Sequence, residues 1–175
     1  MRTLVHLRHG ERERGGPHLT HRGVGRAASV GRRLAPFDRA VTSPKARAVE
    51  TAEAMGYAVA RQLPDLEGVP EAVERWLDRD SPTSFDQYVA LVEEVREVRR
   101  YAQRLASVWR EELEQLPEAR RLLMVSHGEV IELGTVGALG DRVRQWGPAL
   151  GLLEGVELRL EDGRWRRGSV VREPR

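Results

Sequence analysis

Apolar runs of strand length recur along this chain, and three of them end in a polar cluster followed by a helical pattern. The runs are Thr3-Leu4-Val5-His6-Leu7, Arg39-Ala40-Val41-Thr42 and Leu122-Leu123-Met124-Val125-Ser126. Near-continuous rather than alternating hydrophobicity marks a strand buried on both faces. Such strands, alternating with helices, specify a mainly parallel sheet covered on each side. The predicted fold class is α/β, a three-layer α/β/α sandwich. The C-terminal end departs from that pattern. Val156-Glu157-Leu158-Arg159-Leu160 alternates in polarity, Asp162-Gly163 supplies a turn, and residues 165–171 can return as a partner. This predicts an antiparallel hairpin added to the sheet. The 175 residues suit one domain spanning 1–175.

Helix signals fill the intervals. Thr20 is placed to cap a helix over 21–34, which Pro36 ends. Ser43-Pro44 predicts an N-cap and first helical position for a second helix, stopping at Gly56. Residues 57–63 read as a third strand and 73–77 as a short helix. Ser84 with Gln87 fits a capping box. Beyond it, Phe85, Tyr88, Leu91, Val95, Val98 and Ala102 recur at three- and four-residue steps. That is one long amphipathic helix, or two joined, ending before Pro117, with its charges forming a solvated face. A further helix covers 129–139 up to Gly140, and 146–153 reads as loop.

Composition removes several classes of function. With no cysteine, disulfides, cysteine nucleophiles and thiolate metal sites are excluded. A formal net charge of +2 does not make a nucleic-acid surface. Lys45 is the only lysine, so the positive charge is otherwise arginine. No apolar run reaches the roughly 18 residues of a membrane span, and the short apolar N-terminus is interrupted at Arg8. The expectation is a cytoplasmic protein with neither nucleic-acid nor membrane partners. Oligomeric state is open, a homodimer included.

The polar clusters carry the chemistry. Arg8-His9-Gly10-Glu11, Ser43-Pro44-Lys45-Ala46-Arg47 and Ser126-His127-Gly128-Glu129 each follow a predicted strand. Ligands of open α/β sheets bind outside the carboxyl ends of the strands. Three distant segments therefore converge on one place with two imidazoles and two guanidiniums. Their mutual repulsion is relieved by an anion, and arginine offers phosphate a rigid two-pronged donor. His6 reads instead as a packed core histidine, Trp146 as packing, and His18 and His21 as surface or capping residues.

Together the clusters resemble the histidine phosphatase, or phosphoglycerate mutase-like, superfamily. The matching stretches are Arg8-His9-Gly10, the run Ser43-Pro44-Lys45-Ala46-Arg47-Ala48-Val49-Glu50-Thr51-Ala52, and Ser126-His127-Gly128. Leu19-Thr20-His21-Arg22-Gly23 matches the family's first-helix motif. The resemblance implies a metal-independent phosphomonoesterase that needs no cofactor and acts on a small phosphorylated substrate. It implies His9 as nucleophile, with Arg8, Gly10, Arg47 and His127 binding phosphate. Glu67 stands near the family's usual general acid; Asp65 and Glu129 are rivals. A protein phosphohistidine phosphatase, a phosphoglycerate mutase and a silent phosphate-binding scaffold are the alternatives. The chain departs from the family in containing no asparagine where many members contact phosphate. Arg12, Arg14 and His18 are the candidate replacements.

Overall fold

The protein is described by a computed structural model covering residues 1–80 and 82–172. Its strands are β1 (Arg2–Arg8), β2 (Arg39–Thr42), β3 (Val59–Gln62), β4 (Arg121–Ser126), β5 (Gly155–Glu161) and β6 (Arg164–Val171). Its α-helices are α1 (His21–Leu34), α2 (Ala46–Ala54), α3 (Glu71–Asp80), α4 (Phe85–Glu94), α5 (Arg96–Glu114) and α6 (Gly128–Leu139). The sheet order is β3-β2-β4-β1-β5-β6. Strands β3, β2, β4 and β1 are parallel, whereas β5 is antiparallel to both β1 and β6. The expected hairpin closes through Asp162 and Gly163, with φ of 50° and 68°. Positive φ at both central residues suits the right-handed twist of a two-residue hairpin.

Alternation along the strands divides the interior in two. Leu4, Leu122 and Met124 face a core with side chains from α3, α4, α5 and α6. Val5, Leu7, Leu123 and Val125 face a smaller core with α1 and α2. Two helical layers thus sandwich the sheet, as the doubly buried strands require. The chain leaves β1 toward α1 on one face and leaves the adjacent β4 toward α6 on the other. That reversal opens a crevice at the carboxyl ends of the two strands, the usual ligand position in such sheets. Helix α6 is pressed against α5 by missing side chains. A Cβ on Gly134 would lie 2.2 Å from Trp109, and one on Gly137 would lie 2.0 Å from the Ala102 carbonyl.

Local signals behave unevenly. Thr20 caps α1, accepting the Gly23 N–H at 2.9 Å. Ser84 Oγ accepts the Gln87 N–H at 3.4 Å, while the Gln87 side-chain Oε1 accepts the Thr83 N–H at 2.6 Å, one residue outside the expected box. The long amphipathic pattern is two helices, parted at the extended Val95 (φ −109°, ψ 115°). Ser43 is not an N-cap and Pro44 is not helical: α2 starts at Ala46, with Lys45 at the cap. The Ser43 hydroxyl is engaged elsewhere, as described below. The helix expected over 73–77 is the longer α3, preceded by a 3-10 turn over Pro64–Leu66. The third strand is shorter than expected, Val59–Gln62.

His6 is fully buried, with Nε2 2.7 Å from Ser126 Oγ and its ring edge-on to Trp109 at 4.7 Å. Burial lowers its pKa to about 3, so it is a neutral core residue. Trp146 packs edge-to-face on Phe85 at 5.6 Å. Among the described residues no helix is long and apolar enough to cross a membrane.

Candidate active site

Strand register brings the polar clusters together. Arg8 pairs with Ser126 at the ends of β1 and β4, and Thr42 pairs with Val125 beside them. The next residues of each segment therefore leave the sheet at one edge. His9 and His127 meet there, ring centroids 5.3 Å apart at 62°. Arg47, one residue into α2, reaches the same point, its Nη2 3.4 Å from His127 Nδ1. Arg8, His9, Arg47 and His127 line the floor of a cavity of about 650 Å³, with Gly128 beside them.

The His9 tautomer follows from its neighbour. Nδ1 lies 2.8 Å from the Gly10 carbonyl oxygen. A carbonyl can only accept, so Nδ1 carries the hydrogen and Nε2 keeps its lone pair. Burial, reinforced by the positive charges of Arg47, Arg8 and Arg12, lowers the pKa to about 4 despite the Gly10 bond. His9 is thus neutral at pH 7 although it stands among cations. The Gly10 N–H donates to Thr51 Oγ1 at 2.9 Å, and Thr51 Oγ1 donates to the Arg47 carbonyl at 2.6 Å. One threonine on α2 thereby fixes the turn carrying His9.

His127 is also neutral, its pKa lowered to about 3 by burial and then by Arg47. Its Nε2 is 3.0 Å from Ser43 Oγ, which also accepts the Lys45 N–H at 3.2 Å. A hydroxyl can donate or accept. Arg47 can only donate, so His127 Nδ1 accepts and Nε2 carries the hydrogen toward Ser43 Oγ, which holds the ring orientation, a role that sequence reasoning missed by assigning it to a helix end. Arg8 Nη1 donates to the Leu150 carbonyl at 2.7 Å. Arg8 Nε and Arg47 Nε are buried and bond to nothing among the described residues. Both guanidiniums retain donors for an anion.

A model of the histidine phosphatase superfamily, branch 1, matches residues 4–171. The chain belongs to this superfamily. Several solved structures align over almost its full length. Phosphoserine phosphatase from Entamoeba histolytica, solved with 3-phosphoglyceric acid, is 19% identical, with 95% of this chain and 94% of that chain covered at a TM-score of 0.68. Mycobacterial glucosyl-3-phosphoglycerate phosphatase, complexed with VO3, is 23% identical over 95% and 96%, at 0.67. Phosphoglycerate mutase from Bacillus anthracis is 16% identical over 94% and 90%, at 0.64. These likenesses establish the phosphoglycerate mutase-like fold. A search of the curated proteins finds no match.

The remaining candidates of this histidine phosphatase-family chain sort by position. Glu67 and Glu129 both line the cavity, whereas Asp65 lies outside its lining and pairs with Arg104 at 3.2 Å. The Tyr101 hydroxyl donates to the Gly68 carbonyl at 2.9 Å and anchors the segment bearing Glu67. Of the three residues offered in place of the missing asparagine, Arg12 lines the cavity. Arg14 does not line it, and His18 is turned to Glu50, whose hydrogen bond raises its pKa.

Proposed function

We propose that the protein is a metal-independent phosphomonoesterase working through a phosphohistidine on His9. The observation that carries this is the neutral, tautomer-locked His9 ring among Arg8, Arg47 and His127. A lone pair is available at pH 7 with no separate base, and cations surround the place where phosphoryl charge gathers. Nε2 of His9 attacks phosphorus as the bond to the leaving oxygen breaks. The donors of Arg8 and Arg47 hold the equatorial oxygens. His127 joins them when Arg47 turns from its Nδ1 to the phosphate: Ser43 then donates to Nε2, and Nδ1 carries a hydrogen for the anion. Glu67 supplies the proton to the leaving oxygen. Water then attacks the phosphohistidine as the N–P bond breaks, giving its proton to the Glu67 carboxylate, returning neutral His9 and releasing phosphate. A cavity of about 650 Å³ suits a small phosphorylated metabolite.

Assay of a panel of phosphorylated metabolites, with phosphate release as readout, tests this reading. Activity is expected to survive EDTA. Among the described residues no group of three or more histidine, aspartate or glutamate side chains is placed to hold a metal. Complete loss of turnover on chelation, restored by a divalent ion, would reject the mechanism.

Ser43→Ala is expected to lower turnover about ten-fold. Removing the buried partner of His127 Nε2 costs about 1–2 kcal/mol, and that figure converts to about this factor. A variant with unchanged kcat would mean that Ser43 does not set the His127 ring.

A further inference from the structure

Glu132 belongs to none of the motifs above, yet its side chain is 2% exposed. A carboxylate buried to that degree is costly unless its hydrogen bonds are made. Glu132 Oε1 accepts the Leu150 N–H at 2.6 Å, and the Tyr88 hydroxyl is turned to the carboxyl as a second donor. The Leu150 carbonyl in turn takes Arg8 Nη1 at 2.7 Å. One residue of the 146–153 loop is thus gripped at its N–H by Glu132 and at its carbonyl by Arg8. The same two side chains flank Gly128. A Cβ there would stand 3.4 Å from Arg8 Nη1 and 3.5 Å from Glu132 Oε2.

We infer that Glu132 is a positioning residue of the phosphate clamp: it sets Arg8 through Leu150, and its protonation is coupled to the binding of a tetrahedral dianion at Arg8. The inference rests on the phosphatase reading of the site. Burial pushes the Glu132 carboxyl up to about 7, against the Leu150 N–H and the Tyr88 hydroxyl, which favour its charged form. The titratable and charged groups facing it are Tyr88 from α4, Glu129 from its own helix and Arg8 from β1. Of these, Arg8 favours the carboxylate by opposite charge. A dianion docked on Arg8 offsets that charge, so the proton affinity of Glu132 rises on binding. Reciprocity then requires the anion to bind more tightly when Glu132 is protonated.

Sulfate is the probe, because it is a dianion throughout pH 6–8.5 and any pH dependence belongs to the protein. Its binding to the full chain is measured calorimetrically in buffers of different ionisation enthalpy. The wild type is expected to lose about ten-fold in affinity across that range, the ratio implied by a one-unit rise in the Glu132 pKa. Binding near pH 7 should be accompanied by proton uptake. Glu132→Gln keeps an oxygen for Leu150, and the Tyr88 hydroxyl can rotate to accept its NH2. It should hold the wild-type pH 6 affinity up to pH 8.5, with less proton uptake. Glu132→Leu strands the Leu150 N–H and should bind about ten-fold more weakly than Gln at every pH. If Leu fails to fold, Tyr88→Phe keeps the inference testable: with one donor fewer to the carboxylate, the inflection should move to higher pH. Unaltered pH dependence and proton uptake in Glu132→Gln would overturn the coupling. Equal affinities for Gln and Leu would overturn the positioning. A folded wild type that binds no sulfate at any pH would instead remove the phosphatase reading, and this inference with it.

Discussion

His9→Ala is expected to leave no measurable turnover and no phosphoenzyme. The expected loss is at least about 10³-fold, the scale seen when an enzyme's nucleophile is removed. Nothing nearby can take its place. His127 points its two nitrogens at Ser43 and Arg47. The remaining floor residues are arginines, which carry no lone pair to attack with. The variant should still bind sulfate, because Arg8 and Arg47 are untouched, so lost chemistry is separable from lost binding. Rapid quench with 32P-labelled substrate and mapping of acid-labile label locates the intermediate. Label on His127 in the wild type would reverse the two roles. The pH dependence has a definite sign. With its pKa lowered to about 4, His9 keeps its lone pair as pH falls past 6.5 and loses it only near pH 4. Labelling that collapses near pH 6.5 would contradict the neutral, buried ring.

How far the sequence exposes such a site depends on the sequence distance of the interactions. Arg8, His9, Ser126 and His127 were legible because each lies at or just beyond the end of a buried strand, and strand ends in this architecture converge. The parallel register of β1 and β4 is what turns two distant tripeptides into one pocket floor. Ser43 was misread because Ser-Pro after a strand is also a helix-start signal. Only the fold brings the His127 ring, 84 residues away, to its hydroxyl. Val95 divides α4 from α5 without a glycine or proline, so the periodic pattern could not locate the break. Glu132 was invisible for a stronger reason. It sits midway along a helix whose other charged residue is Glu129, and its partners Tyr88 and Leu150 come from a different helix and a loop. No local pattern distinguishes a carboxylate with such partners from one that merely faces solvent.

The same dependence on the fold bears on the general acid. Asp65 and Glu67 are two residues apart, yet the 3-10 turn over Pro64–Leu66 sends them to different surroundings. Asp65 reaches Arg104, while Glu67 joins the cavity lining together with Glu129. The choice between the two cavity glutamates is made by the leaving group. An alkoxide is a poor leaving group until protonated, whereas p-nitrophenolate departs without help. If Glu67 is the proton donor, Glu67→Gln slows hydrolysis of an alkyl phosphate by about 10²–10⁴-fold, the usual worth of general-acid catalysis. It should change p-nitrophenyl phosphate hydrolysis little. Phosphoenzyme should still form from the aryl ester, since His9, Arg8 and Arg47 are intact. The comparison therefore isolates proton transfer from binding and from attack. Glu129→Gln is the matched control, removing a carboxylate from the same cavity. Should Glu67→Gln slow both esters equally while Glu129→Gln shows the leaving-group dependence, the proton comes from the first turn of α6. Glu67 then serves the loop that Tyr101 anchors.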